Sequence, residues 1–258
     1  MQYYRFDGSL AGLLSCVFRM FEFKEWQVQL LEPESTQHHL FDNCTHIKTD
    51  FAKAQRVWTG LQKKLSTNAL NQWRYAFLSE QTSAHQALLD YCVFVFQSAD
   101  GAYGNFNEPC VLTVSQWAKK VSREKHRMEA FVRFKKLQDA LYLSLIQPDF
   151  DVLPLIGPHF QRRYQDQKWL IYDEKRDYGI YYDLNQTHEV KLSAAQIDVN
   201  LNNRLPQQFD LALDEDEVLY DRLWKAYFQS VNIKERQNLR LHIQYVPKRY
   251  WRYLNEKA

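Results

Sequence analysis

Apolar residues along this chain recur first at helical spacing and later at the alternating spacing of strands. In residues 1–99 the helical period dominates, and it predicts helices at 10–21, 51–64, 68–77 and 83–97. Short strands are expected at 3–6, 28–31 and 44–49. Ser9 and Asp50 stand just before two of the helices, where their side-chain oxygens can accept hydrogen bonds from first-turn amides. This part of the chain is therefore predicted to be mainly helical.

The stretch 126–183 changes period several times, and we expect the rest of the fold to be organised around it. Strands are predicted at 131–135, 140–146, 168–173, 178–183 and 190–192. A helix is predicted at 153–164, and Pro154 suits its first turn because no amide hydrogen is needed there. Sequential strands with one helix between them predict an antiparallel sheet crossed by a helix.

Two features mark the ends of these regions. Residues 98–109 lose the apolar period and are rich in Gly and Asn, which predicts a break between 1–99 and 110–258, unless both belong to one compact unit. The acids at 214–217 predict the start of a last helix, because the helix dipole favours negative charge in a first turn. Its apolar face is expected to comprise Leu219, Leu223, Trp224, Tyr227, Phe228 and Val231.

The predicted fold class is therefore α+β. A mainly helical N-terminal part is followed by an antiparallel sheet with a crossing helix, and a C-terminal helix and a basic tail close the chain.

Positive charge is concentrated in the middle of the chain. The formal net charge of the whole is only +2, but residues 110–176 hold 13 Lys and Arg against 8 Asp and Glu. A second basic cluster occupies the last 25 residues. Such segments in a nearly neutral chain suit a surface that binds phosphate or nucleic acid, and a solvated face is the alternative.

Composition and motifs narrow the chemistry. Aromatic residues make up 15% of the chain, whereas Gly and Pro number only 7 each, and no Gly-rich phosphate loop is present. The four cysteines form no C-x-x-C pair, and no signal-peptide or membrane-spanning pattern is found. We therefore expect a cytoplasmic protein that has no cofactor, binds no metal and does not associate with a membrane.

Three residues are candidates for acid–base catalysis. His126 and His159 each adjoin an arginine or lie near one, and a nearby positive charge would keep a histidine neutral, as a general base should be. Asp173, at the end of a predicted strand, is the carboxylate candidate. Structural histidines bonded to backbone carbonyls are the commoner case, so the sequence leaves open whether the protein is an enzyme.

The arginines carry more information about binding. Arg133 shares a predicted strand face with Phe131 and Lys135, because these positions are two apart, and a face that mixes rings with cations suits nucleic acid better than a core. Arg249 and Trp251 repeat this combination near the end of the chain. The residues expected to contact DNA are Arg127, Arg133, Arg162, Arg163, Arg176, Arg249 and Trp251.

Several spaced motifs carry a family resemblance over nearly the whole chain: YRFDGSLAGLLSCVF, HRMEAFVRF, PHFQRRY, KWLIYDEKRDYGIYYD and SVNIKERQNL. In these motifs the chain resembles a bacterial family of proteins ascribed to DNA metabolism or DNA repair. Members of that family are typically encoded beside a radical-SAM protein, and some are fused to a uracil-DNA-glycosylase-type domain. The resemblance implies a context in DNA repair and a partner of one of these two kinds.

Three functions are consistent with these observations. The first is a DNA-binding accessory that presents DNA to a radical-SAM or glycosylase-type partner. The second is a metal-independent enzyme that acts on DNA itself, as a glycosylase, lyase or hydrolase. The third is a protein-binding subunit without DNA affinity, whose basic tail docks on the partner.

Overall fold

The computed structural model describes residues 1–31, 44–99, 101–138, 140–191, 214, 216–231 and 239–255. The chain forms two compact units, Met1–Ser122 (unit 1) and Arg123–Ala258 (unit 2). The division lies inside a helix that starts at Pro109, and the predicted break at 98–109 contains a short 3₁₀ helix, Ala102–Gly104. Helices and strands occur in both units, so the α+β class is confirmed.

Unit 1 combines a small parallel sheet with helices. Its elements are β1 (Gln2–Arg5), α1 (Leu10–Phe23), β2 (Val28–Leu30), β3 (Cys44–His46), α2 (Phe51–Lys64), α3 (Thr67–Phe77), α4 (Thr82–Gln97) and the first part of α5 (Pro109–Phe131). The strand order is β2-β1-β3, with both pairings parallel. All the helices and strands predicted for residues 1–99 are present, with ends shifted by a few residues.

Helix caps and a large core explain why unit 1 forms. The hydroxyl of Ser9 accepts a hydrogen bond from the amide of Gly12 at 2.9 Å, and the carboxylate of Asp50 accepts one from Lys53 at 3.0 Å, so both predicted caps are confirmed. Trp73 is fully buried in the core. Burial raises the pKa of the thiols of Cys16 and Cys92 to about 12, so both are structural thiols in this core.

Unit 2 is built on a five-stranded sheet. After the last part of α5 come β4 (Lys135–Lys136), β5 (Tyr142–Ile146), α6 (Leu153–Arg163), β6 (Trp169–Asp173), β7 (Tyr178–Tyr182), β8 (Thr187–Val190), α7 (Glu217–Val231), α8 (Leu239–Tyr245) and a 3₁₀ helix, Lys248–Tyr253. Every residue of β6 is buried, and the apolar run at 169–172 is typical of a central strand. Pro154 stands in the first turn of α6, as predicted.

The sheet of unit 2 is mixed, and this corrects the prediction of an antiparallel one. Its order is β4-β5-β6-β7-β8, and three of the four pairings are antiparallel. The pairing of β5 with β6 is parallel. Helix α6 causes the difference, because a crossover helix returns the chain to the same end of the sheet before the next strand starts.

The strand predicted at 131–135 is also wrong. Helix α5 continues to Phe131, and only Lys135 and Lys136 join the sheet as β4. Over so few residues the alternation of Phe131, Arg133 and Lys135 fits a helix end followed by extended chain equally well. Arg133 therefore lies just beyond a helix rather than on a strand face.

The turn between β6 and β7 is fixed by a buried ion pair. Asp173 is fully buried and accepts hydrogen bonds from Arg176 Nη1 at 2.7 Å and from the amide of Lys175 at 2.9 Å. The guanidinium of Arg176 also donates to the carbonyls of Pro148 and Asp149, each at 3.2 Å. These bonds connect the turn to the loop that follows β5.

A second buried carboxylate holds the 3₁₀ helix Lys248–Tyr253 in place. Glu124 is buried and accepts hydrogen bonds from the Tyr250 hydroxyl and from the amide of Asp149, the latter at 2.9 Å. Arg249 Nη2 lies 2.5 Å from Asp149 Oδ2 and 3.7 Å from Glu124 Oε2. The chain near its C-terminal end is thereby bonded to α5 and to the loop after β5.

Candidate nucleic-acid interface

Arg133 is the centre of the candidate site. Its Nη1 donates to the carbonyls of Ala130 at 2.7 Å and Val132 at 3.3 Å, which fixes the guanidinium at the end of α5. The central carbon of this guanidinium lies 5.9 Å from the centroid of the Trp224 ring on α7. A cation held against an indole is an arrangement that also occurs where proteins bind the bases and phosphates of a single strand.

A chain of aromatic rings extends from this point to the end of α6. The ring of Phe134, next to Arg133, lies 5.4 Å from that of Tyr164 between centroids. The guanidinium carbon of Arg163 is 5.7 Å from the Tyr164 ring. We call Arg133, Phe134, Arg163, Tyr164, Tyr220 and Trp224 the aromatic–arginine surface. All six belong to unit 2.

An open groove lies along part of this surface. Its volume is about 470 Å³, and its lining is mostly apolar. The lining residues are Arg133, Phe134, Glu217, Tyr220, Leu223, Trp224 and Asn255. Tyr220, Leu223 and Trp224 remain 60%, 56% and 39% exposed. The helical period of α7 correctly predicted an apolar face that includes Leu223 and Trp224, but their exposure was not expected.

The acidic start of α7 is bonded to the edge strand of the sheet. Asp214 Oδ2 lies 2.6 Å from Lys136 Nζ, and Glu217 Oε1 accepts from the Lys136 amide at 3.1 Å. The hydrogen bond from Lys136 lowers the pKa of Asp214, and that same bond raises the pKa of the lysine. These acids therefore secure α7 against β4 at one end of the groove.

The residues predicted to contact DNA separate into two groups. Arg133 lies in the groove, and Arg162 and Arg163 are exposed at the end of α6. Arg127 is 3.4 Å from Glu124, and Arg176 is paired with Asp173. The first three arginines therefore lie at the aromatic–arginine surface or beside it. Arg127 and Arg176 form ion pairs with acids instead.

The two predicted residues near the C-terminus are also engaged within unit 2. Arg249 pairs with Asp149, as described above, and its guanidinium carbon lies 4.5 Å from the Tyr250 ring. The indole of Trp251 donates to the carbonyl of Val246 at 2.9 Å. Both residues contribute to holding the 3₁₀ helix, and no local sequence pattern indicates these acidic and backbone partners.

The three catalytic candidates lie in different surroundings. His126 is exposed on α5. His159 Nδ1 is 3.8 Å from Glu129 Oε1, which also binds Lys125 Nζ at 2.6 Å. Asp173 is inaccessible to solvent; burial raises its pKa, and the hydrogen bond from Arg176 opposes the rise. The structure thus gives Asp173 a structural role and leaves the two histidines accessible in full or in part.

Residues that sequence reasoning missed are Phe134 and Tyr220. Both are aromatic: Phe134 follows Arg133 in the sequence, and Tyr220 follows Leu219. Both line the groove. The available signal was the position of Tyr220 four residues before Trp224, which places the two rings on one face of a helix.

Unit 1 has a groove of similar size with a different character. It measures about 440 Å³ and is lined by α1, the residues after β3 and the start of α2. Its cations alternate with acids, and Lys53 Nζ pairs with Glu22 at 3.0 Å. The carboxylate of Asp50 also caps α2 there. Its described lining residues include no Phe, Tyr or Trp on which an unpaired base could stack, and this makes it a weaker candidate for binding single-stranded DNA than the surface of unit 2.

No helix in the described part of the chain has both the length and the apolar content needed to cross a bilayer. In the same residues, no group of three or more His, Cys, Asp or Glu side chains is arranged to hold a metal ion.

The fold and the surface define an α+β protein with an exposed cluster of arginines and aromatic rings in its second unit. The model of a family described as "Domain of unknown function (DUF4130)" matches residues 82–256, and the chain belongs to this family. The matched residues include the whole aromatic–arginine surface. No curated protein and no solved structure matches the chain.

Proposed function

We propose that this protein binds DNA through the aromatic–arginine surface and presents single-stranded or distorted DNA to a partner enzyme. The observation that carries the proposal is the placement of Arg133 against Trp224, joined through Phe134 and Tyr164 to Arg163. Phosphates bind guanidinium groups, and unpaired bases stack on aromatic rings whatever their sequence. A duplex with stacked, paired bases offers no ring face to this surface.

The second part of the proposal concerns the partner. The resemblance in the sequence motifs implies a radical-SAM protein or a uracil-DNA-glycosylase-type domain. We propose that such a partner performs the chemistry while this protein holds the strand. This part rests on the resemblance alone.

The test is equilibrium binding of labelled single-stranded DNA at several salt concentrations. The variant Arg162→Glu with Arg163→Glu is expected to weaken binding of all sequences alike, and to reduce the slope of log affinity against log salt by about 1 to 2. The reason is that fewer counterions are released when fewer phosphates are contacted. Both side chains are exposed, so the fold should tolerate the change.

A matched control separates local contacts from net charge. Lys63→Glu with Arg74→Glu makes the same change of charge at exposed positions of unit 1, and we expect binding to stay within about twofold of the wild type. Equal weakening by the two double variants would reject the proposed surface. A wild-type protein that binds no DNA at low salt would reject the function, and turnover of the DNA by the protein alone would replace the accessory role with an enzymatic one.

A further inference from the structure

The groove on α7 exposes more apolar area than a solvent-facing helix usually does. Four large apolar residues, Leu219, Tyr220, Leu223 and Trp224, follow the i, i+1, i+4, i+5 pattern of one helix face. A cluster of exposed apolar side chains rimmed by charged groups is typical of a binding surface. The occupant can be identified from the size of the groove and the charges around it.

The size suits one small planar group with its attached sugar. At about 470 Å³ the groove lies in the lower half of the range of about 300–1,000 Å³ that is typical of small-molecule sites. Phe134, Tyr220 and Trp224 supply three aromatic rings to its lining. Stacking against such rings stabilises a flat, unpaired base, and it requires no particular base sequence.

The cation in the lining favours a nucleotide over an apolar side chain of a protein partner. The Arg133 guanidinium lies over the Trp224 ring in the groove. This guanidinium can pair with a phosphate of the strand while the rings stack on its base, whereas an apolar side chain would use only the rings.

The polar groups of the lining restrict how the strand can lie. Glu217, at the acidic start of α7, is bonded to the Lys136 amide at 3.1 Å and would repel a phosphate there. The backbone is therefore expected away from Glu217, beside Arg133. Glu217 and Asn255 then face the edge of the base, where a carboxylate or an amide can form hydrogen bonds.

We infer that this groove takes a single unstacked nucleobase of a DNA strand, which stacks on the rings of Tyr220 and Trp224 with the Arg133 guanidinium beside it. The inference rests on the proposed DNA-binding function and adds a base-binding site to it. The surface then acts in two parts, with exposed arginines holding phosphates and the groove holding one base.

The experiment compares two labelled strands of equal length and charge, one with normal bases and one with abasic tetrahydrofuran residues. Trp224→Ala is expected to weaken binding of the normal strand about tenfold, within the range for loss of one stacking ring, and to leave the abasic strand and the salt slope unchanged. Trp224→Phe, which keeps a ring, should retain most of the affinity. The control is Trp26→Ala, which removes an indole that is 45% exposed in unit 1 and should change neither affinity.

The outcomes distinguish the two proposals. If the wild type binds in a salt-dependent way but Trp224→Ala leaves the affinity for the normal strand unchanged, the groove is not a base site and DNA binding stands. Equal losses for the normal and abasic strands would mean a structural effect and would also overturn the inference. A wild type that binds neither strand would refute DNA binding itself, and the base site with it.

Discussion

Replacing Asp173 with alanine is expected to lower the free energy of unfolding of unit 2 by about 3–5 kcal/mol. The change leaves the guanidinium of Arg176 buried without its anion, and the amide of Lys175 loses its acceptor. Urea unfolding gives the size of the loss, and hydrogen–deuterium exchange should show it as faster exchange of amides in β6 and β7.

The control for Asp173 is Glu22→Ala in unit 1. This substitution breaks the ion pair between Glu22 and Lys53, and both of these side chains are exposed. Exposed ion pairs contribute no more than about 1 kcal/mol to the free energy of unfolding. A near-native stability of Asp173→Ala combined with a loss of function would contradict the structural role. Asp173 would then again be a candidate catalytic residue.

Replacing Glu124 with alanine should release the 3₁₀ helix Lys248–Tyr253 from unit 2. The Tyr250 hydroxyl and the amide of Asp149 both lose a buried acceptor, and Arg249 loses one of its two anions. The expected cost is about 3–5 kcal/mol, because one partner of a buried charged group is removed. Limited proteolysis with trypsin should cut at Arg249 and Arg252 much faster than in the wild type.

A conservative variant tests the same contact more finely. Tyr250→Phe removes only the hydroxyl and keeps the ring, which packs 5.5 Å from Phe131 between centroids. It should cost about 1–3 kcal/mol, the penalty for one buried acceptor that loses its donor. If both variants resist trypsin as the wild type does, the C-terminal segment is held by other contacts and the role given to Glu124 is wrong.

Local signals allowed much of the fold to be predicted from the sequence. The caps at Ser9 and Asp50 and the first-turn Pro154 depend on nearby residues alone, and each was confirmed. The strand Trp169–Asp173 was predictable because an apolar run at 169–172 precedes the polar turn. These features are determined by neighbouring residues in the sequence and do not depend on which elements pack together.

Features that depend on distant partners could not be predicted in this way. The roles of Arg176 and Arg249 are set by Asp173 and Asp149, and the sequence pattern does not show which acids face them. The helical period of α7 located its apolar face but not its exposure, because a period does not tell whether another element covers the face. The side chains of Tyr227, Phe228 and Val231 lie outside the described residues.

The candidate site was therefore foreseen only in part. Arg133, Arg162 and Arg163 were predicted to bind DNA, and the structure places them at one surface or beside it. The rings of Phe134 and Tyr220 meet at this surface because α7 lies next to the end of α5, and no local sequence pattern indicates that contact. Whether this surface binds DNA remains a prediction.

The most direct test is photo-cross-linking of the wild-type protein to single-stranded DNA that carries 5-bromodeoxyuridine, followed by mass-spectrometric mapping. We predict cross-links to Tyr220, Trp224 or Phe134, and a loss of the signal when salt is raised, because phosphate contacts hold the strand there. Cross-links confined to unit 1, or to the 3₁₀ helix Lys248–Tyr253, would contradict the assignment of the aromatic–arginine surface.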